Sequence, residues 1–375
     1  MSDLKRQYER YPYPPISRWA LPRRKEGAAL QTKALHAKNP KILVIGGGTL
    51  EPLVVAQAYP QASEILNIDL SKASIDVLKH RLWLHKIARP FSKRASIRSL
   101  CGDFRDFTDC GFDYVIASNV LHHMDNPAQA LLEISKRLKP GGILRMVTYP
   151  KMSRIWMKAT SQFLKLRKVD RAVNIKKVAL QAVRELPISH PIRACYESHQ
   201  ERMNDAGIVD AFFNACENPL SPLEWQRASG ASGLQLFAET QDKNSHSDLI
   251  GEFLGTHSEK IDRWKKLQIL DDTWELCSNP ILWFEKTREP VSSTVSAEAS
   301  APSQESILEQ IIRAAKQADS LLREADSNLQ EWIEWLRKEV GPRTWPNHPD
   351  EILRGLSMTE YPIYIAESVS ISSTD

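Results

Sequence analysis

The stretch from Lys41 to Asp69 restricts the fold of this chain more than any other. Ile42-Leu43-Val44-Ile45 runs straight into Gly46-Gly47-Gly48-Thr49; a helix-like segment follows, and Ile65-Leu66-Asn67-Ile68 then ends at Asp69. A short continuous apolar run reads as a strand buried on both faces, as in a parallel sheet. Glycines directly after it let the backbone turn sharply and approach a ligand with its N–H groups outward. Asp69 stands 23 residues beyond Gly46, and an acid at such a strand end accepts hydrogen bonds from both hydroxyls of a ribose. The pattern implies a site for a nucleoside-bearing ligand.

The dinucleotide spacing Gly-x-Gly-x-x-Gly is not met, because Glu51 holds its sixth place. Further blocks decide the matter. Leu100-Cys101-Gly102-Asp103-Phe104 is a third strand end with an acid, and Phe112 to Met124 holds a fourth strand followed by Asn119-Val120-Leu121-His122-His123. Leu138-Lys139-Pro140-Gly141-Gly142 reads as a helix stop and turn before a fifth strand. In order and spacing these blocks resemble the class I S-adenosylmethionine-dependent methyltransferases. The resemblance implies an α/β, Rossmann-like sheet with helices on both faces, helical insertions and a C-terminal helical extension, and S-adenosyl-L-methionine as cofactor. It implies that Gly46, Gly47, Gly48 and Thr49 pass the methionine part and that Asp69, with Leu70, holds the ribose. Asp103, with Phe104, then reaches the adenine, and Asn119 and Val120 complete the cofactor set.

At 375 residues the chain is long enough for an α/β core plus additions. Its composition is 42% hydrophobic against 26% charged, and no apolar run approaches the ~20 residues that span a bilayer. The opening Met1-Ser2-Asp3-Leu4-Lys5-Arg6-Gln7 lacks the apolar stretch of a secretion signal. A cytoplasmic protein acting away from membranes is expected. The five cysteines include no Cys-x-x-Cys, which suits reduced thiols, and no metal is expected. Charge is unevenly spread: residues 288–375 hold 8 Lys/Arg against 15 Asp/Glu, a charge of −7, which leaves +11 for residues 1–287. Residues 151–193 alone carry 11 basic side chains and two acids, Asp170 and Glu185. That run is either a solvated helical face or a positive lid over a site for an anionic acceptor.

Residues 1–38 form an aromatic, proline-rich flap that cannot stay helical past Arg10. The segment either straps the sheet or closes the donor site, and Tyr8, Tyr11, Tyr13, Arg18 and Trp19 are its candidates for touching an acceptor. Residues 39–150 are the cofactor-binding core, with strands near 42–45, 65–69, 97–101, 113–118 and 142–149. Helices are expected near 51–59, 72–86 and 127–138, the last two started by Ser71 and Pro127. Strands alternating with helices imply parallel crossovers, with ligands at the strand carboxyl ends. Gly46, Asp69, Asp103 and Asn119 all fall at such ends. Residues 151–287 hold the basic helical lid and the remainder of the domain: a helix and short strand over 222–237, then a Trp-rich helical run over 248–287.

Gln7-Tyr8-Glu9, Pro12-Tyr13-Pro14, Trp19, Leu121-His122-His123-Met124 and Leu138 to Tyr149 are similar to bacterial methyltransferase modules often fused to tetratricopeptide repeats. The similarity covers about residues 4–287 and places Arg154, Asp210 and Glu217 where that subgroup has like residues, which makes them acceptor-site candidates. Leu50 replaces the subgroup's glycine, and Asn214 and Asn218 stand where it often shows histidine. No ~34-residue repeat is visible. Residues 288–304 are a Ser/Ala/Pro-rich linker, and 305–375 an acidic helical extension with a disordered end. Its heptad stripe over 305–340 either docks on the core or self-associates.

Methyl transfer in this class is an in-line displacement, and holding the acceptor in line can supply ~7–11 kcal/mol. A general base is needed only when the acceptor must lose a proton. His122, His123 and Tyr149 are the candidates to face the methyl. Nucleic acid is disfavoured as acceptor, since no Asn/Asp-Pro-Pro-Tyr follows the fourth strand and no RNA-binding module is present. The expectation is a methyltransferase acting on a small molecule or protein side chain. The competing one is a catalytically inactive methyltransferase-fold protein that works as a binding or assembly module through its C-terminal helix.

Overall fold

The computed structural model describes residues 2–188, 190–200, 204–240, 261–272, 279–287 and the single residue 320. Within them the apolar runs become β1 (Lys41–Ile45), β2 (Glu64–Asp69), β3 (Ile97–Cys101), β4 (Phe112–Ser118), β5 (Leu138–Val147), β6 (Leu234–Thr240) and β7 (Ile281–Lys286). They form one sheet in the order β3-β2-β1-β4-β5-β7-β6. β1 to β5 pair in parallel, while β7 runs antiparallel to both β5 and β6. Strand order reverses between β1 and β4, and their carboxyl ends open the crevice where such sheets bind ligands.

The helices are α1 (Asp3–Arg10), α2 (Glu51–Ala58), α3 (Lys72–Ala88), α4 (Pro127–Arg137), α5 (Ile155–Leu166), α6 (Ile175–Arg184), α7 (Pro191–Gln200), α8 (Asp205–Phe212), α9 (Pro222–Ala231) and α10 (Arg263–Asp272). Successive strand residues point to opposite faces, and the sheet is covered on both. Leu43, Ile45, Leu66, Ile68, Val115 and Ala117 pack with Leu131 and Ile134 of α4, Trp225 of α9 and Leu267 of α10. Ile42, Val44, Ile65, Tyr114 and Ile116 pack on the other side with Val54 and Val55 of α2 and with Leu30. The expected caps are present: the Ser71 hydroxyl accepts the Ser74 N–H, and Pro127 opens α4 after the capping Asn126.

Two expectations change. Residues 281–286 are a strand and not part of a helix. Ile281-Leu282-Trp283-Phe284 is a short apolar run whose length and hydrophobicity suit either element; pairing with β5 decides it. Within 248–287 the described helix is α10 alone, and residues 248–260 and Trp274 lie outside the described residues. The basic run has its own interior: α5 to α8 bury Ile155, Trp156, Leu164, Val183, Tyr196 and Phe212 together and turn Lys158, Lys165, Lys177 and Arg184 to solvent. The linker and the 305–340 stripe fall outside the described residues but for residue 320. Among the described residues no helix is long and apolar enough to cross a membrane.

Candidate active site

Each strand end passes its backbone ladder on to the turn after it. Gly46 N–H donates to Ile68 C=O (2.8 Å), Gly102 N–H to Asp69 C=O (2.9 Å) and Asn119 N–H to Val147 C=O (2.9 Å). The turns so fixed ring one cavity of about 430 Å³, within the ~300–1,000 Å³ usual for small-molecule sites. Gly46 and Gly48 take left-handed φ angles of 62° and 57°. A Cβ on Gly46 would come within 2.6 Å of Val120 Cγ2, and one on Gly48 within 2.3 Å of the Tyr13 carbonyl oxygen. Only glycine fits either place.

Three of the carboxylates that line this cavity, Asp69, Asp103 and Glu51, sit at the strand ends and the start of α2. Asp69 is held by two backbone donors, Gly48 N–H on Oδ2 and Ser71 N–H on Oδ1, both at 2.8 Å. Burial pushes its carboxyl upward against the pull of those donors. Asp103 is gripped by Arg105, whose Nε (2.9 Å) and backbone N–H (2.9 Å) donate to Oδ1 and whose Nη2 donates to Oδ2 (2.5 Å). Burial raises this carboxyl too, but the hydrogen bonds from Arg105 outweigh it and leave it below the ordinary aspartate value. Glu51, which sequence reasoning passed over, is buried where α2 begins. Its Oε1 accepts from Ser118 Oγ (2.6 Å), which in turn accepts from Arg145 Nη1 (2.9 Å). Burial raises Glu51, and Arg145 and Ser118 pull it down. Leu70, Phe104, Asn119 and Val120 also line the cavity.

The N-terminal segment forms one wall. Tyr8, Tyr13 and Pro14 line the cavity. Thr49 does not: it turns away, donating from its N–H to Tyr13 C=O and from its hydroxyl to Pro14 C=O, each at 3.0 Å. Both its donors are spent on tying the segment down. The Glu9 carboxylate accepts the Lys72 (2.7 Å) and Ala73 (3.1 Å) N–H groups at the start of α3, where negative charge suits the helix dipole. Arg81, wholly buried on α3, clasps strap to loop through Thr49 C=O (2.5 Å), Ile16 C=O (2.8 Å) and Ser17 C=O (3.0 Å). Burial lowers its pKa to about 10. A signal for it was present: Arg81 follows Leu78 and Ile75 at helical spacing on the buried face. Arg81→Met should lower stability by about 1.5–3 kcal/mol, the worth of a charged hydrogen bond lost at a buried carbonyl. Denaturant unfolding checks this. Of the other candidates here, Arg18 and Trp19 are exposed and off the cavity, Trp19 packing edge-on against His80, and Tyr11 packs against the helical core of α5 to α8.

The opposite end of the cavity separates the two histidines. They sit on one tight turn with their rings edge to face, centroids 4.3 Å apart, but only His123 reaches the cavity. His122 is fully buried behind the wall and is not a base facing the cavity: its Nδ1 accepts the Tyr149 N–H (3.1 Å), and its ring stacks on that of Tyr149 with centroids 3.6 Å apart. Burial, then His123 and Arg154, hold its pKa well below the usual value. His123 lines the cavity and places Nδ1 2.8 Å from Cys216 C=O. A carbonyl can only accept, so Nδ1 carries the proton and Nε2 keeps its lone pair. Tyr149 lines the cavity with one ring face on His122 and the Arg154 guanidinium 3.6 Å from its centroid. Arg154 and Glu217 stand behind that wall, paired at 3.3 Å. Asp210 does face the cavity; its Oδ1 accepts from Tyr8 OH (2.8 Å) and Asn214 Nδ2 (3.2 Å). Burial raises the Asp210 carboxyl, and burial, Asp210 and Tyr149 raise the Tyr8 phenol well above its ordinary value, so it stays protonated. No lysine or arginine of 151–193 lines the cavity. Apart from the buried Arg154, the basic side chains of that run are exposed or half-buried, and Lys151 pairs with Glu224.

Residues 43–146 match the family model described as a methyltransferase domain. Among curated proteins, an uncharacterized protein of Synechococcus sp. is 23% identical over 288 residues, 70% of this chain and 66% of that protein. A highly reducing polyketide synthase of Cordyceps militaris is 35% identical over 133 residues, 31% of this chain and 5% of that protein. The chain thus spans just under two thirds of the first relative and a small part of the second. Of the solved structures, PKMT2 from Rickettsia typhi in complex with AdoHcy superposes with a TM-score of 0.50 at 14% identity, over 95% of this chain and 76% of that one. That likeness is one of fold. Sheet order, glycine turn, strand-end acids and family match agree: residues 43–146 are a class I methyltransferase domain, of the class whose cofactor is S-adenosyl-L-methionine.

Proposed function

We propose that the chain is an active methyltransferase. In this reading the methyl donor lies along Gly46–Gly48, Asp69 and Asp103, and the acceptor, a small molecule or a protein side chain, enters beside Tyr8, His123, Tyr149 and Asp210. One observation carries it: a single cavity joins the glycine turn and strand-end acids to that second, polar end. The residues fit the donor. The glycine turn keeps a tight path between Val120 and Tyr13 that any Cβ would break, Asp69 keeps lone pairs for ribose hydroxyls beyond its two backbone donors, and Asp103 can accept an adenine amine. Glu51 offers a buried carboxylate to an ammonium group near the start of α2, and the buried Leu50 adds apolar wall.

When bound, the cofactor supplies an electrophilic methyl group on a sulfonium sulfur. The chain's own part is to orient and to dry the site. Tyr13 and Pro14 close over the glycine turn, and excluding water there strengthens each polar contact inside. The His123 Nε2 lone pair is placed to take a proton from an acceptor. Calorimetry with S-adenosylmethionine and S-adenosylhomocysteine tests the reading. Asp69→Ala should weaken both by about 1.5–3 kcal/mol, and unchanged affinity would remove Asp69 from the site.

A further inference from the structure

The acceptor end holds more negative than positive charge. Asp210 and Glu217 stand there against one guanidinium, that of Arg154, and Arg154 is committed to Glu217 at 3.3 Å and to the Tyr149 ring. Asp210 is left as the charge in excess. It is 96% buried by its 4% exposure, and the two donors to its Oδ1, Tyr8 OH and Asn214 Nδ2, are neutral. No hydrogen bond reaches Oδ2 among the described residues, and Asp210 lines the cavity. His123 and Arg154 ease its charge from a distance, yet burial still outweighs them; a buried carboxylate with no cation bonded to it is costly, and a cationic ligand reduces that cost. Arg105, the one lysine or arginine on the cavity wall among the described residues, is spent on Asp103.

We propose that the acceptor is an amine, bound as an ammonium ion by Asp210. This rests on the methyltransferase reading above and replaces the anionic acceptor suggested by the basic run. Tyr8 and Asn214 hold Asp210 in place: Tyr8 donates its proton to Asp210 Oδ1 and its oxygen accepts from Asn214 Nδ2 at 3.2 Å, so neither brings a positive charge to the carboxylate. An ammonium group cannot act as a nucleophile until it loses a proton. His123 is beside it, 95% buried by its 5% exposure, with Nδ1–H fixed on Cys216 C=O. The N–H bond breaks, the proton passes to His123 Nε2, and the electron pair stays on the acceptor nitrogen. A carboxylate acceptor would instead set two anions together in a site shielded from water, and a neutral hydroxyl would leave Asp210 without its counter-charge.

Two stable analogues of S-adenosylhomocysteine separate the alternatives. In both, nitrogen replaces sulfur; one bears an aminoethyl arm and the other a carboxymethyl arm. Calorimetry on the full chain should show the aminoethyl compound binding at least tenfold more tightly. In Asp210→Asn that ratio should fall to near one while S-adenosylhomocysteine binds as before. Equal binding, or preference for the carboxymethyl arm, in the unaltered protein overturns the amine assignment. A ratio retained in a folded Asp210→Asn protein overturns the role of Asp210. The unaltered protein decides the acceptor class by itself, so a misfolded variant does not shelter the proposal. Failure of S-adenosylhomocysteine to bind is a different outcome: it removes the methyltransferase reading, and the amine with it.

Discussion

Removing residues 2–19 leaves a folded protein that has lost its cofactor affinity by at least a hundredfold. Every residue of this segment keeps some exposure, though Tyr8 is deeply set, whereas both faces of the sheet are sealed chiefly by residues from Leu30 onward. Losing the Ile16 and Ser17 carbonyls that Arg81 holds lowers stability, but the fold does not rest on the segment. The site does. Tyr8, Tyr13 and Pro14 leave the cavity wall, Thr49 loses both strap carbonyls, and α3 loses the Glu9 carboxylate at its first turn. The glycine turn would then open to water on the side the strap covers. Circular dichroism should show native helix and sheet, and calorimetry with S-adenosylhomocysteine should show the loss. Undiminished affinity in the truncated protein would mean the segment is packing only.

A single methyl group on the glycine turn should do nearly as much. Gly48→Ala forces alanine into the left-handed region, at about 1–2 kcal/mol, and puts its Cβ 2.3 Å from the Tyr13 carbonyl oxygen. The strap must lift or the turn must flatten, and either distorts the cradle. Gly111→Ala is the control, because Gly111 also has a positive φ, 76°, but a Cβ there meets nothing nearer than Lys139 Cε at 4.0 Å. Both variants should lose stability in denaturant titration, and Gly48→Ala alone should lose cofactor affinity, by tenfold or more. Parallel behaviour of the two would separate Gly48 from the strap.

What could be read from residues alone follows from how local each signal is. β1, β2 and β4 were legible because an apolar run that ends at Gly46, Asp69 or Asn119 states both the strand and its exit. The strand β7 was not, since its identity comes from β5, more than 130 residues earlier. The strand-end acids Asp69 and Asp103 were legible for the same local reason. The acceptor end was only partly so. His122 and His123 are neighbours in sequence, and only the turn that carries them sends one inward to Tyr149 and the other to the cavity. Thr49 belongs to the glycine block, yet its hydrogen bonds depend on a strap whose path prolines constrain without specifying. The basic run gave no direction, because counting charges does not say which way they face, and most of those on α5 to α7 are exposed.

The place of β7 between β5 and β6 sets an order of events during synthesis. β6 leaves the ribosome first but among the described residues borders only β7, and that pairing waits until Ile281–Lys286 has been made. β5 waits longer: from Val147 to Ile281 one side of an apolar strand stands unpaired, the kind of edge that recruits strands from other chains. At ~5–20 residues per second of synthesis that exposure lasts many seconds. The Rossmann-like half can close early, yet the last described element of the chain is the one that seals its edge. Nascent molecules of this protein therefore pass through a long-lived stage in which the donor cradle exists and the sheet remains adhesive.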